Sequence, residues 1–188
     1  MIKNIIKKSI DVKSLLYEND ELIDTINKVK DELVHCFSLN GKVYFCGNGG
    51  SAADAQHIAA ELSGRFYFDR PPLAAEALHV NSSYITAVAN DYSYDEIFSR
   101  YINGMGRKDD VLIGLSTSGN SVNIIKALDT AKKKGMITVG MTGASGGKMK
   151  EIVKHLVNVP SDDTPRIQEV HMLIGHIISE LVEKEMFS

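Results

Sequence analysis

Cysteine is scarce in this 188-residue chain: Cys36 and Cys46 are the only two, and no CxxC spacing occurs. That excludes a disulfide framework. Cys46 closes an apolar run and reads as a packed thiol rather than a nucleophile. Charge of one sign is lacking as well, with a formal net charge of −3, so nothing draws the chain generally toward nucleic acid or an anionic membrane. The basic clusters Lys7-Lys8 and Lys132-Lys133-Lys134 fall where solvated helix faces are expected. No apolar run approaches the roughly 18 residues that a membrane span needs. The opening segment, Met1 to Lys8, carries lysines inside its apolar stretch and no small-residue cleavage site, so it does not read as a signal peptide. These absences point to a cytoplasmic protein with neither nucleic acid nor membrane as a partner.

What is present suits one domain over residues 1–188, with 44% hydrophobic residues and little room for a second domain. Ile2, Ile5, Ile6, Ile10 and Leu16 recur at helical spacing, as do Ile23, Ile26, Val29, Leu33 and Phe37. Residues 1–40 therefore read as a helical hairpin, over 2–17 and 21–39, broken near Asn19-Asp20. Strands are then expected at 43–46, 74–78, 111–115, 137–141 and 153–159. Helices are expected at 51–63, 82–89, from the Ser/Thr/Gly loop to Lys134, and over 167–186. Alternating helices and continuous apolar strands imply an α/β fold with a parallel sheet covered on both faces.

Two loops echo one another: Gly47-Asn48-Gly49-Gly50-Ser51 and Ser116-Thr117-Ser118-Gly119-Asn120-Ser121 each follow a strand and open a helix. Ligands of open parallel sheets collect at such places, where free N–H groups and the helix dipole favour a phosphate dianion. Ser116, Thr117, Ser118 and Ser121 add hydroxyl donors. One hydroxyl would serve as an ordinary N-cap; four in six residues exceed what capping requires. A Walker lysine pattern is missing, which argues against a nucleoside triphosphate.

On the helix from Ser51, Asp54, His57 and Glu61 line one stripe, with Arg65 just beyond, and His57 and Glu61 lie about 40° apart on a helical wheel. Taken alone, a solvated face with an ordinary His–Glu pair explains this stripe slightly better than a ligand site does. Two details pull the other way: the stripe begins at a Gly-rich strand end, and alanines stand where an exposed helix usually carries Lys and Glu. On the closing helix, Gln168, His171 and His176 fall outside the centre of a broad apolar surface. Gln168 and His176 lie about 80° apart, so periodicity does not pair them. Gly175 costs about 1 kcal/mol relative to alanine in mid-helix, which implies that something approaches closely there.

The strand and loop from Leu112 to Ser121 resemble the phosphate loop of the sugar isomerase (SIS) domain. Cys46 to Ser51, His57 to Arg65, Ala89-Asn90-Asp91, Ile97 to Tyr101 and Arg166 to His171 extend the resemblance over nearly the whole chain, to bacterial phosphoheptose isomerases. This resemblance implies a flavodoxin-like SIS fold and a homotetramer with active sites between subunits. It implies an aldose–ketose isomerase that converts sedoheptulose 7-phosphate to D-glycero-D-manno-heptose 7-phosphate for surface glycans. Glu61 and His176 are then the acid/base pair, and His57, Glu61, Gln168 and His176 can hold a zinc ion. Substrate contacts fall on Asn48, Gly49, Gly50, Ser51, Glu61, Arg65, Asn90, Asp91 and Gln168, besides the four serine-loop hydroxyls. Bottom-up, glutamine is an uncommon zinc ligand, and Asn90-Asp91 reads equally as a simple turn. Thr164 reads as a substrate contact or a helix cap. The competing function is a tetrameric SIS protein without catalysis, one that binds a replication initiator or senses a sugar phosphate. Such a protein has no need of Glu61 with His57 and His176.

Overall fold

The computed structural model describes residues 1–188. The N-terminal hairpin comprises α1 (Ile2–Tyr17) and α2 (Asp20–Ser38). Its break has a local cause: the Asn19 side chain accepts from the Leu22 N–H at 3.0 Å and caps α2. The remaining elements in chain order are β1 (Val43–Gly47), α3 (Gly50–Ser63), β2 (Ala75–Ala77), α4 (Ser82–Asp91), α5 (Ile97–Met105), β3 (Val111–Leu115), α6 (Val122–Lys133), β4 (Ile137–Thr142), β5 (His155–Asn158) and α7 (Thr164–Phe187). All strand pairs are parallel and the sheet order is β2-β1-β3-β4-β5, the flavodoxin-like arrangement, which reverses direction between β1 and β3.

Side chains alternate across this sheet and feed two cores. Val43, Phe45, Val111, Ile113 and Leu115 face the larger one, with α2, α3 and α7. Tyr44, Cys46 and Leu112 face the other, with residues of α4, α5 and α6. Burial on both faces is why β1 and β3 read as unbroken apolar runs. On α1 only Val12 and Leu16 are buried, while Ile2, Ile5, Ile6 and Ile10 remain exposed as an uncovered ridge.

Several boundaries depart from expectation. Helix α5 and the 3₁₀ turn Tyr94–Glu96 before it occupy a stretch the sequence left unassigned. Helix α4 runs through Asn90 and Asp91, so these close a helix and are not a simple turn. A 3₁₀ turn over Gly147–Glu151 delays the last strand to His155. Helix α7 starts at Thr164, with Pro165 in its first turn, where a missing N–H costs nothing.

Helix α7 lies beside α3 in the same direction, Gln168 meeting Ser51 and Gly175 meeting Ile58 further along. A Cβ at position 175 would stand 2.5 Å from Ile58 Cδ1 and Cγ1. The mid-helix glycine thus admits the buried Ile58 side chain. Gly175→Ala is expected to destabilise the protein by about 1–3 kcal/mol through overpacking, despite a propensity gain of about 1 kcal/mol. Combination with Ile58→Val should cost less than the sum of the two single changes, and additive urea-unfolding free energies would refute the contact.

Candidate active site

The two echoing loops sit side by side at the C-terminal ends of β1 and β3, the switch point of the sheet. Between them lies a cleft of about 320 Å³, walled by Asn48, Gly50, Ser51, Ser116, Thr117, Ser118, Ser121, Thr164 and Gln168. Gly49 stands at the N-cap position of α3 with φ +56, exposed and outside the cleft wall. Ser121 stands at the N-cap position of α6, yet its hydroxyl makes no cap bond and lies 3.0 Å from Ser116 Oγ. Capping therefore does not account for the serines, and the hydroxyls of Ser116 and Ser121 converge at the mouth of a helix. Thr164 likewise lines the cleft while Asp163 takes the N-cap position of α7.

The serine loop is braced from outside. Gly119 has φ +65, and a Cβ there would lie 2.2 Å from the Gly146 carbonyl oxygen. Its own carbonyl accepts from Met149 N–H at 3.1 Å, and Asn120 Oδ1 accepts from Lys148 N–H at 3.1 Å. Glycine is needed here both for its backbone region and for the close approach.

Further along the paired helices, a second group assembles. His57 Nε2 lies 3.0 Å from Glu61 Oε1, and the His57 and His176 rings stand 5.2 Å apart at 65°. One ligand atom from each of His57, Glu61 and His176 lies within 4.8 Å of the others. Two imidazoles and a carboxylate make a suitable donor set for a catalytic zinc, so these residues fit such an ion. Gln168 stays at the other end: its amide nitrogen is 3.5 Å from Ser51 Oγ, and eight residues separate it from His176, about 12 Å along a helix. Asp54, one turn before His57, has Oδ2 buried without a partner, and burial pushes its carboxyl up to about 6 against the opposing pull of His57.

A buried ion pair fixes the far end of this group. Glu183 accepts from the N–H groups of Phe66, Tyr67 and Phe68 at 2.9, 2.6 and 3.0 Å and from Arg70 Nε at 2.8 Å. Burial pushes the Glu183 carboxyl up, but these donors outweigh it and hold it below the ordinary carboxylate value. Arg70 in turn donates to the Glu61 and Leu62 carbonyls, both at 3.0 Å. The Phe66 ring lies 5.9 Å from that of His176. None of Glu183, Arg70 and Phe66 stood out in the sequence.

Other expected contacts lie elsewhere in the single chain. Arg65 is exposed beyond the end of α3. Asn90 and Asp91 are exposed at the end of α4, where Asn90 donates to Asp91 at 2.9 Å, and neither lines the cleft. A larger groove of about 480 Å³ between α5 and α6 is lined by polar and charged residues. Of its three lysines, Lys126 pairs with Glu96 and Lys134 donates to the Asn103 carbonyl, and no histidine lines it. The smaller cleft is the one that collects helix N-termini and the hydroxyls of the serine loop.

The family described as the SIS domain matches residues 10–143. By fold, phosphate-type loop and matched sequence, the chain belongs to the SIS-domain family. Its place in that family is among the phosphoheptose isomerases. A phosphoheptose isomerase of Sulfurimonas denitrificans is 53% identical over 186 residues, covering 99% of this chain and 95% of that one. A phosphoheptose isomerase structure from Neisseria gonorrhoeae superposes with a TM-score of 0.91 at 39% identity, covering 97% of each chain. Another, from Francisella tularensis, gives 0.93 at 35% identity, covering 97% and 96%. These matches reach α7, which lies beyond the residues matched by the family alone.

His171 takes the ordinary place of a histidine beside an apolar face, a hydrogen-bonded core position: it is fully buried, with Nε2 donating to the Thr142 carbonyl at 3.2 Å and Nδ1 without a partner. Desolvation lowers its pKa to about 4, partly opposed by the Thr142 carbonyl. The unfolded imidazole titrates near 6.5. Its contribution to stability is therefore full above about pH 6.5 and is lost as pH falls toward 4, about 3 kcal/mol in all. Unfolding free energies measured by urea from pH 7.5 to 4 should show this loss, and His171→Gln should flatten it. An equally steep profile in the variant would remove His171 as the cause.

Proposed function

We propose that this chain interconverts sedoheptulose 7-phosphate and D-glycero-D-manno-heptose 7-phosphate, supplying heptose for surface glycans. The observation that carries the proposal is the junction of a hydroxyl-lined cleft at the N-termini of α3, α6 and α7 with a carboxylate–imidazole group further along α3 and α7. Family membership supports the reaction class, an aldose–ketose isomerisation, which needs exchange of one proton between neighbouring carbons and one between their oxygens. The phosphate docks among Ser116, Thr117, Ser118 and Ser121 and holds the far end of the sugar. Glu61 takes the proton from C1 of the ketose while His176 protonates the C2 oxygen, leaving an enediol. Return of the proton to C2, with loss of the O1 proton, forms the aldehyde. Positioned proton transfer of this kind contributes roughly 10²–10⁴-fold, and binding at the distant phosphate helps supply the orientation.

His57, Glu61 and His176 are the residues we assign to zinc; Gln168, held beside Ser51 at the other end of α7, is left to the sugar. When bound there, the metal supplies polarisation of the substrate oxygens. A carboxylate committed to a metal is a weaker base, so the two roles of Glu61 compete. Asn48, Gly49, Gly50, Ser51, Arg65, Asn90, Asp91 and Gln168 are the proposed sugar contacts. We further assign residues 1–188 to a single SIS domain in a cytoplasmic homotetramer. The uncovered ridge of α1 and the exposure of Arg65, Asn90 and Asp91 away from the cleft support active sites shared between subunits. No helix is long and apolar enough to cross a membrane.

The test is incubation of metal-analysed protein with sedoheptulose 7-phosphate, followed by NMR of the product and of solvent-proton incorporation at C2. Turnover is expected; its absence with and without zinc would leave the non-catalytic SIS reading. Glu61→Gln should lower turnover by about 10²-fold or more while sugar phosphate still binds. Turnover at the unaltered rate would reject Glu61 as the base.

A further inference from the structure

One proposed sugar contact, Asn48, is paired with a buried residue that the isomerase reading does not use. Asn48, at the end of β1, faces Asn123 at the start of α6, which is 3% exposed. Asn48 Nδ2 donates to Asn123 Oδ1 and Asn123 Nδ2 donates to Asn48 Oδ1, both at 2.9 Å. In isolation, such a ring of two primary amides works equally well with both groups reversed. One neighbour removes that freedom. The main-chain N–H of Ile124 can only donate, and it donates to Asn123 Oδ1 at 3.0 Å. Reversal would turn the Asn123 NH₂ toward this buried donor, forfeiting its bond and setting donor against donor.

The polarity of Asn48 follows. Its Oδ1 accepts from both Asn123 Nδ2 and the Tyr94 hydroxyl, the latter at 3.1 Å. These two donors fill the acceptor capacity of a carbonyl oxygen. Of the two Nδ2 hydrogens, one is spent on Asn123. The side chain has a single N–H left to offer, and Asn48 lines the cleft beside Ser51 and Ser116. We infer that Asn48 is a donor of fixed polarity toward a substrate oxygen, and that Asn123 is the positioning residue that sets this polarity. A pre-aimed N–H need not reorient to hold a sugar oxygen, and so helps fix the direction in which the sugar leaves the phosphate. The matching group on the substrate is a hydroxyl oxygen of the sugar chain near its phosphate, since Asn48 lines the phosphate cleft and the acid/base group stands about 12 Å further along the helices. The identity of that oxygen rests on the isomerase reading; the polarity is a property of the chain.

Asn123→Asp preserves size and still accepts from Ile124 and Asn48, but provides no donor for Asn48 Oδ1. Its kcat on sedoheptulose 7-phosphate should fall about tenfold or more through lost orientation, with KM changed by less than about threefold and calorimetric affinity for inorganic phosphate unaltered. An unaltered kcat overturns the inference, as does a parallel loss of phosphate affinity, which would make Asn123 a mere brace of the loop. A second measurement is independent of turnover and of any variant's folding. In ¹⁵N-labelled wild-type protein, one Asn48 side-chain N–H resonance should move with sedoheptulose 7-phosphate and stay in place with inorganic phosphate. A wild type without turnover sinks the isomerase reading alone; an unmoved Asn48 resonance with bound sugar phosphate sinks the polarity lock alone.

Discussion

The contact between α3 and α7 positions every group assigned to proton transfer. His57 and Glu61 belong to one helix and His176 to the other, so their meeting requires the two helices to run close together along their length. Gly175 permits this by removing the side chain that would strike Ile58. Beyond it, Glu183 and Arg70 tie the end of α7 to the loop after α3 and to the Glu61 carbonyl. A buried carboxylate is tolerated there because three backbone N–H groups and a guanidinium surround it. Removal of either partner would strand a charge, so the clamp acts as a unit that keeps the two helices in register.

The same pair of helices also separates two tasks. At its start, Ser51 and Gln168 flank the hydroxyl-lined cleft; about 12 Å further on stands His176 with its partners. A ligand held by phosphate at the first place meets acid and base only if its reacting carbons lie far from that phosphate. Phosphate binding can then orient the reacting end without touching it, because the helices between are rigid and packed against the sheet.

Much of this was legible in the sequence, and what was not has physical reasons. Apolar strands buried on two faces, the Asn19 cap and the serine loop all leave local marks. Gly175 was legible as an anomaly, although its partner Ile58 was not, since a helical pattern says nothing about which residue approaches from another helix. His171 was legible as a histidine beside the apolar surface, but not its partner, since the Thr142 carbonyl at the end of β4 meets it only in three dimensions. Asn123 is hidden among polar residues that open a helix and look like ordinary N-terminal composition. Glu183 lies in the charged run Glu183-Lys184-Glu185 and reads as solvated, but its Phe66 partner is 117 residues earlier in the chain. Helix α5 is nine residues long and buries Ile97, Phe98 and Ile102, too few apolar positions to fix a period.

Two features of the single chain look unfinished, and they are in different places. The isoleucine ridge of α1 covers nothing, and Arg65, Asn90 and Asp91 stand exposed away from the cleft that the family resemblance assigns them to. Each taken alone is ordinary, because exposed apolar side chains and surface charges are common. Together they have one economical account in the proposed tetramer. Association along the α1 ridge would bury apolar surface, and symmetric copies would bring one subunit's exposed polar groups to another's cleft. The sheet, the clamp and the amide pair, in comparison, are satisfied by the chain's own residues. Under this proposal, assembly has only to complete the sugar-binding surface, since the phosphate cleft and the His57–Glu61–His176 group are already formed in one chain.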